Sequence, residues 1–294
     1  MPAGVRVERL RVGLEALYGR YHRSFLSPDP LEFPHRFRRS EDREVVGLIA
    51  SGLAYGNVRS ICNSMEKVLE WIGPSPSRFV QSLNPRHELE RLGSFQHRWT
   101  RARDVVCLSW FAHQMIDMEG SIGGFFAKGH DPGDLAASLR SFSNRALELD
   151  HGGLYAGSRV GARDGVRYFF TSPGTGACKR LNMYLRWMVR PDDGLDFGLW
   201  TFMSPRELVI PLDTHIFRIG NHFRWTRRKT QNWVAAAEIT KALAAANPAD
   251  PVKYDFALSR LGIHANCPRH PRTTQCELCE LRRTVFARRK GTSH

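Results

Sequence analysis

Apolar residues recur at helical spacing along nearly the whole chain, and sustained alternation of the kind a half-buried strand needs is hard to find. Over residues 6–22, Val7, Leu10, Leu14, Leu17, Tyr18 and Tyr21 mark one helical face. A proline-punctuated connector occupies 27–37. Ser40, Glu41 and Asp42 then open a helix through EVVGLIASGLAYG, and Asn57 or its neighbours open another through ICNSMEKVLEWIG. The pattern resumes over 101–118 and 134–149, and no repeat of fixed period appears. The chain is therefore expected to be all-α, and its 294 residues suffice for one large domain or two modest ones.

Composition limits what such a chain can do. Hydrophobic residues at 42% and charged residues at 24% suit a globular fold. Lys plus Arg number 43 against 29 Asp plus Glu, a formal charge of +14 that favours a polyanionic partner, nucleic acid or anionic lipid. No apolar run approaches the roughly 20 residues that span a bilayer, and the amphipathic N-terminus lacks the apolar core of a signal peptide, so a cytoplasmic, membrane-free protein is expected. Three cysteines are scattered (Cys62, Cys107, Cys178) and three cluster near the C-terminus (Cys267, Cys276, Cys279).

The most informative stretch is 168–190, YFFTSPGTGACKRLNMYLRWMVR. A helix-compatible segment reaches Ser172, Pro173-Gly174-Thr175-Gly176 breaks it, and a new amphipathic helix starts at Ala177. Gly174, Thr175 and Gly176 would turn the backbone tightly and present bare N–H groups to a DNA phosphate. On the second helix Cys178 shares the apolar stripe of Leu181, Tyr184, Leu185 and Met188, whereas Lys179, Asn182 and Arg186 share a polar face. A lysine at a helix start is oddly placed for the helix dipole. It is read either as a phosphate contact or as an amine that nearby positive charge and partial burial favour as a nucleophile. Downstream, Asp213 is suited to N-cap the helix carrying Ile216, Phe217 and Ile219. A carboxylate so placed can also stabilise cationic charge on a sugar.

Together these segments resemble the HhH-GPD superfamily of DNA glycosylases, whose best-known member is endonuclease III. Pro173-Gly174-Thr175-Gly176-Ala177-Cys178-Lys179 is similar to its hairpin, L-P-G-V-G-x-K, with one extra residue before the lysine. Leu212-Asp213-Thr214-His215-Ile216-Phe217-Arg218 is similar to its V-D-T-H-x-x-R. The resemblance covers most of residues 40–280, and the phrases CKRLNMYLRWMVR, LDFGLW and DPVKYDFAL resemble a bacterial family within the superfamily. It implies a two-lobed helical fold: a barrel over 40–190 bearing a helix–hairpin–helix at about 168–190, and a second lobe from 1–39 plus 195–294. A cleft for double-stranded DNA would lie between them. It also implies a damaged, possibly oxidised, base flipped out and excised, with Asp213 stabilising the oxocarbenium-like sugar and Lys179 capturing C1′ for AP lyase cleavage.

Departures from that pattern matter. The extra residue leaves Cys178 as a rival to Lys179, and helix phase favours Lys179. Lys179 and Asp213 lie 213 − 179 = 34 residues apart, longer than in endonuclease III, with an insert that resembles in length the one in archaeal glycosylases for oxidised guanine. Trp187, Phe197 and Trp200 are the aromatic candidates for a base pocket, with plain core packing as their other reading. Leu53 replaces the glutamine that fills the gap left by the base. Cys267-x8-Cys276-x2-Cys279 resembles an iron–sulfur loop, but its fourth position is Val285. His264 or His270 would complete a structural zinc site instead, and a metal-free remnant is the remaining reading. Arg227, Arg228 and Lys229, like the basic C-terminal tail, are read as phosphate contacts or as solvated charge. A monomer is expected. The alternatives to a glycosylase are a non-catalytic helix–hairpin–helix DNA-binding protein and an RNA-binding or RNA-modifying one.

Overall fold

Ser40–Leu53 becomes the central helix because Val45–Leu53 carries no charge on any face: from Asp42 to Leu53 only Arg43 escapes burial. A computed structural model describes residues 3–174, 176–264, 267–268 and 274–286. In chain order the helices are α1 (Ala3–Arg20), α2 (Glu32–His35), α3 (Ser40–Leu53), α4 (Val58–Ile72), α5 (Pro76–Gln81), α6 (Pro85–Leu92), α7 (Ala102–Glu119) and α8 (Ile122–Ala127). They continue as α9 (Leu135–Leu147), α10 (Lys179–Val189), α11 (Thr214–His222), α12 (Trp233–Ala244), α13 (Asp255–His264), α14 (Thr274–Leu278) and α15 (Glu280–Phe286). Between α6 and α7 lie β1 (Gln96–His97) and β2 (Thr100–Arg101), one antiparallel pair. The protein is mostly helical, as the periodicity predicts, and among the described residues no helix is long and apolar enough to cross a membrane.

Two glycines let the neighbours of α3 close in. A Cβ on Gly47 would stand 2.8 Å from Met188 Cε of α10, and one on Gly52 would stand 2.7 Å from Phe169 Cδ1. Helices α2, α5 and α7 also pack on α3, while α1 packs on α13 and α15, and α11 lies against α12 and α13. The polar residues of α3 face built partners. Asp42 accepts from Ser77 N of α5 at 2.8 Å, and buried Glu44 accepts from Gly123 N of α8 and from the Trp200 indole. One continuous hydrophobic core runs from Leu10 of α1 to Val285 of α15.

The hairpin differs from expectation on its first side. No helix reaches Ser172; a single 3-10 turn, Gly165–Tyr168, precedes the break. Pro173 disfavours helix at the residue before it. Val166 N donates to the Tyr155 hydroxyl, itself bound to Asp104 at 2.6 Å, so the turn is pinned to α7. The second helix starts at Lys179 rather than Ala177, because Cys178, its N-cap, is left-handed with φ of 52°.

Candidate active site

The insert between α10 and α11 fastens the site's framework. Arg186 of α10 and Arg190, its C-cap, both pair with Asp196, while Arg186 also reaches Asp255 of α13 and Arg190 holds Asp250 at 2.9 Å and Asp193 at 3.0 Å. Phe197 N and Trp200 N donate to Trp187 O and Met188 O, both at 2.8 Å, and fold the insert onto the end of α10. The aromatic residues of the insert therefore do not form a base pocket. Phe197 packs on His35, and Trp200 packs on Phe126 and Tyr184 beside Glu44; both are buried and neither lines the cleft.

Helix α10 is buried from Leu181 to Val189, so the polar face read in the sequence is not a solvated one. Instead Lys179, Met183, Arg186 and Trp187, at helical spacing, line a cleft of about 440 Å³ together with Asp213, His215 and residues of α13. Of the three aromatic candidates, Trp187 alone lies on the cleft wall. Lys179 and Asp213 also share the adjoining outer mouth with Tyr55, Gly56, Gly176 and Gln231. Cys178 is 3% exposed, and burial pushes its thiol up to about 12, so the side chain in position to act from this turn is Lys179.

The lysine lies at the start of its own helix but at the end of another. Its Nζ donates to Ala54 O, the C-cap of α3, at 3.3 Å, and Arg180 Nη1 donates to Gly52 O at 3.1 Å. Cations are favoured where a helix ends in unpaired carbonyls. Lys179 makes no ion pair among the described residues. Asp213 caps α11 as its sequence predicts: Oδ1 accepts from Ile216 N at 2.7 Å, and Oδ2 accepts from Ser259 Oγ at 3.4 Å.

Deeper in the cleft the charges are crowded. Burial, reinforced by Asp213, pushes the Asp255 carboxyl up to about 7 against the pull of Arg186. Burial likewise raises Asp29, against its ion pair with Arg260 at 2.5 Å. Arg260 Nε and His215 Nδ1 are buried and have no hydrogen-bond partner among the described residues. The sequence reading missed Asp29, Asp255 and Arg260. DPVKYDFAL carried a family resemblance, but nothing local placed Asp255 opposite α10.

Leu53 is fully buried in α3 and cannot fill a gap in a duplex. Gly174 is exposed with φ of 109°, Gly176 is at the cleft mouth, and Thr175 lies outside the described residues. Arg227, Arg228 and Lys229 are exposed just before Gln231, with Arg228 paired to Glu238 at 3.0 Å. Cys267, Cys276 and Cys279 are free thiols around a separate cavity of about 30 Å³. The imidazole beside them is His222, with Nδ1 3.7 Å from Cys267 Sγ. His264 stacks on Tyr21 and lines the main cleft instead, and His270 lies outside the described residues. Three thiols and an imidazole have the donor chemistry of a structural zinc site. Among the described residues, however, no three His, Cys, Asp or Glu side chains stand close enough to hold a metal ion.

The protein is thus of a definite class: a mostly helical chain whose cleft presents a lysine amine and a capping carboxylate from different elements. It belongs to the family described as "Protein of unknown function (DUF2400)", whose profile matches residues 29–264. No curated protein and no solved structure matches it.

Proposed function

We propose that the cleft is the active site of a DNA glycosylase with AP lyase activity, of the HhH-GPD kind, acting on a damaged base. The observation that carries this reading is the shared cleft of Lys179 and Asp213, residues on separate helices with the aspartate fixed by its cap. At about 440 Å³ the cleft is within the roughly 300–1,000 Å³ usual for small-molecule pockets. Arg260 and His215, each with one buried nitrogen that no described residue partners, line the cleft where a base turned out of its helix would lie.

In this mechanism the duplex lies across the mouth, with Gly174, Gly176, Arg227, Arg228 and Lys229 available to its phosphates. The glycosidic bond breaks with its electron pair leaving on the base. Asp213 stabilises the positive charge that develops on the sugar. The Lys179 amine bonds to C1′, and loss of its proton and opening of the sugar ring give an imine. Loss of a C2′ proton then expels the 3′ phosphate by β-elimination. Cys267, Cys276, Cys279 and His222 lie around a separate cavity, away from these steps, and a structural metal there, zinc or an iron–sulfur cluster, would require them to close up from their present spacing.

The second reading, a DNA-binding protein without base excision, draws on one observation: both Asp213 oxygens already have protein partners. Incubation with a panel of lesion-containing duplexes separates the two. Excision from any member supports the enzyme, and binding without excision across the panel supports the module.

A further inference from the structure

The two-residue turn between β1 and β2 carries an aromatic side chain that the core does not use. Trp99 is 51% exposed, yet its ring is packed against a neighbour. It stacks on Tyr55 with ring centroids 4.4 Å apart and planes 19° apart, and Tyr168, also half exposed, stands 6.3 Å away. Tyr55 is tied in turn: its hydroxyl donates to His97 O at 2.9 Å and Thr100 Oγ1 at 2.6 Å, and His97 is bonded to Ser64.

The turn is built at some cost. Arg98 takes φ of 54°, at the turn position where glycine is the unstrained choice. Its side chain folds over Gly56, where a Cβ would stand 2.9 Å from Arg98 Cδ, and its guanidinium lies over the Trp99 ring, 5.1 Å from the centroid, where an incoming base would displace it toward phosphate. Gly56 and Tyr55 belong to the mouth that Lys179 and Asp213 share, so the turn sits on the rim of the cleft. Arg98, Arg101 and Arg167 around it are exposed and make no ion pair among the described residues. A strained, cross-braced turn that keeps a half-exposed aromatic ring among exposed, unpaired arginines is adapted to a ligand that is both aromatic and anionic.

We propose that Trp99, backed by Tyr55, is a stacking platform for an unstacked nucleobase at the mouth of the cleft, with Arg98, Arg101 and Arg167 on the adjoining phosphates. The proposal rests on the reading of the cleft as a nucleic-acid site and adds to it the element that holds a base left without a partner. Base–aromatic stacking is tolerant of sequence, so the platform answers to the missing pair rather than to a particular base.

The test is equilibrium binding of two labelled duplexes, one fully paired and one with a single abasic site, to wild type, Trp99→Ala and Trp99→Phe. Thermal melting checks that the exposed substitutions leave the fold intact. Trp99→Ala should weaken binding to the abasic duplex about 5- to 150-fold. It should leave the paired duplex and the salt dependence unchanged, since no charge is lost. Trp99→Phe should stay within a few-fold of wild type on both. Wild type binding both duplexes, with Trp99→Ala unchanged on each or equally weakened on both, would overturn the platform and leave the cleft's function standing. Wild type binding neither would overturn both.

Discussion

The Lys179 amine donates to the carbonyl of Ala54, 3.3 Å away, and so joins the first residue of α10 to the last turn of α3. That contact accounts for a cation at a helix start, because the amine is at the carbonyl end of a different helix. Arg180, bonded to Gly52 O, carries the second fastening. Lys179→Ala removes one hydrogen bond and little packing, so it should cost no more than about 1.5–3 kcal/mol. A shift in urea midpoint at unchanged slope would show it. Global unfolding of this variant would make Lys179 a strut instead.

Asp213→Asn separates capping from catalysis. Asparagine N-caps helices about as well as aspartate, so the melting temperature should hold. Single-turnover excision should fall by orders of magnitude, since one preorganised electrostatic group is worth roughly 2.7–4 kcal/mol in a transition state. Cleavage at a pre-made abasic site, where no glycosidic bond remains, should suffer less. Wild-type excision by a normally melting mutant would reduce Asp213 to a cap.

The insert's grip on α10 depends on pH in a definite sense. Burial alone would raise the Asp193 carboxyl, but Arg190, the Tyr18 hydroxyl at 2.6 Å and two backbone N–H groups overcome it and hold it well below the usual carboxylate range. A folded value below the unfolded one gives stability that is complete above about pH 4 and is lost as the pH falls further. Asp193→Asn should therefore be destabilising at neutral pH, with the gap to wild type closing below about pH 4 in denaturant titrations. A penalty constant with pH would assign the residue to packing alone.

Much of this architecture was legible in the sequence, for stated reasons. Helical periodicity gave α1, α3, α4, α7 and α9, and the capping residues Asn57 and Asp213 mark helix starts where the chain places them. Local pattern could not show which side of α10 meets solvent. Arg186 read as part of a polar face because its acids, Asp196 and Asp255, arrive from 10 and 69 residues away. For the same reason Phe197 and Trp200 looked available to a base: their burial depends on contacts with α3 and α8, which the insert's own residues do not reveal. The turn at Arg98-Trp99 carried no Gly or Asn signal, so the β1–β2 pair went unread.

His222 was invisible to spacing arguments, since it reaches the cysteines from the end of α11. If these four side chains close up on a metal, the purified chain should carry zinc or iron equimolar with protein. His222→Ala and Cys276→Ser should each lower that content and the melting temperature. Elemental analysis and visible absorption after anaerobic, reducing purification provide the check, and finding neither metal there would remove it from the account.

The central claim is that the Lys179 amine forms a covalent bond with the sugar. Sodium borohydride reduction during incubation with abasic-site duplex tests it most directly, read as a protein–DNA adduct on a denaturing gel. The account predicts an adduct with wild type and with Cys178→Ser, and none with a folded Lys179→Ala. Trapping that survives the lysine change, or that disappears with Cys178→Ser, would contradict it.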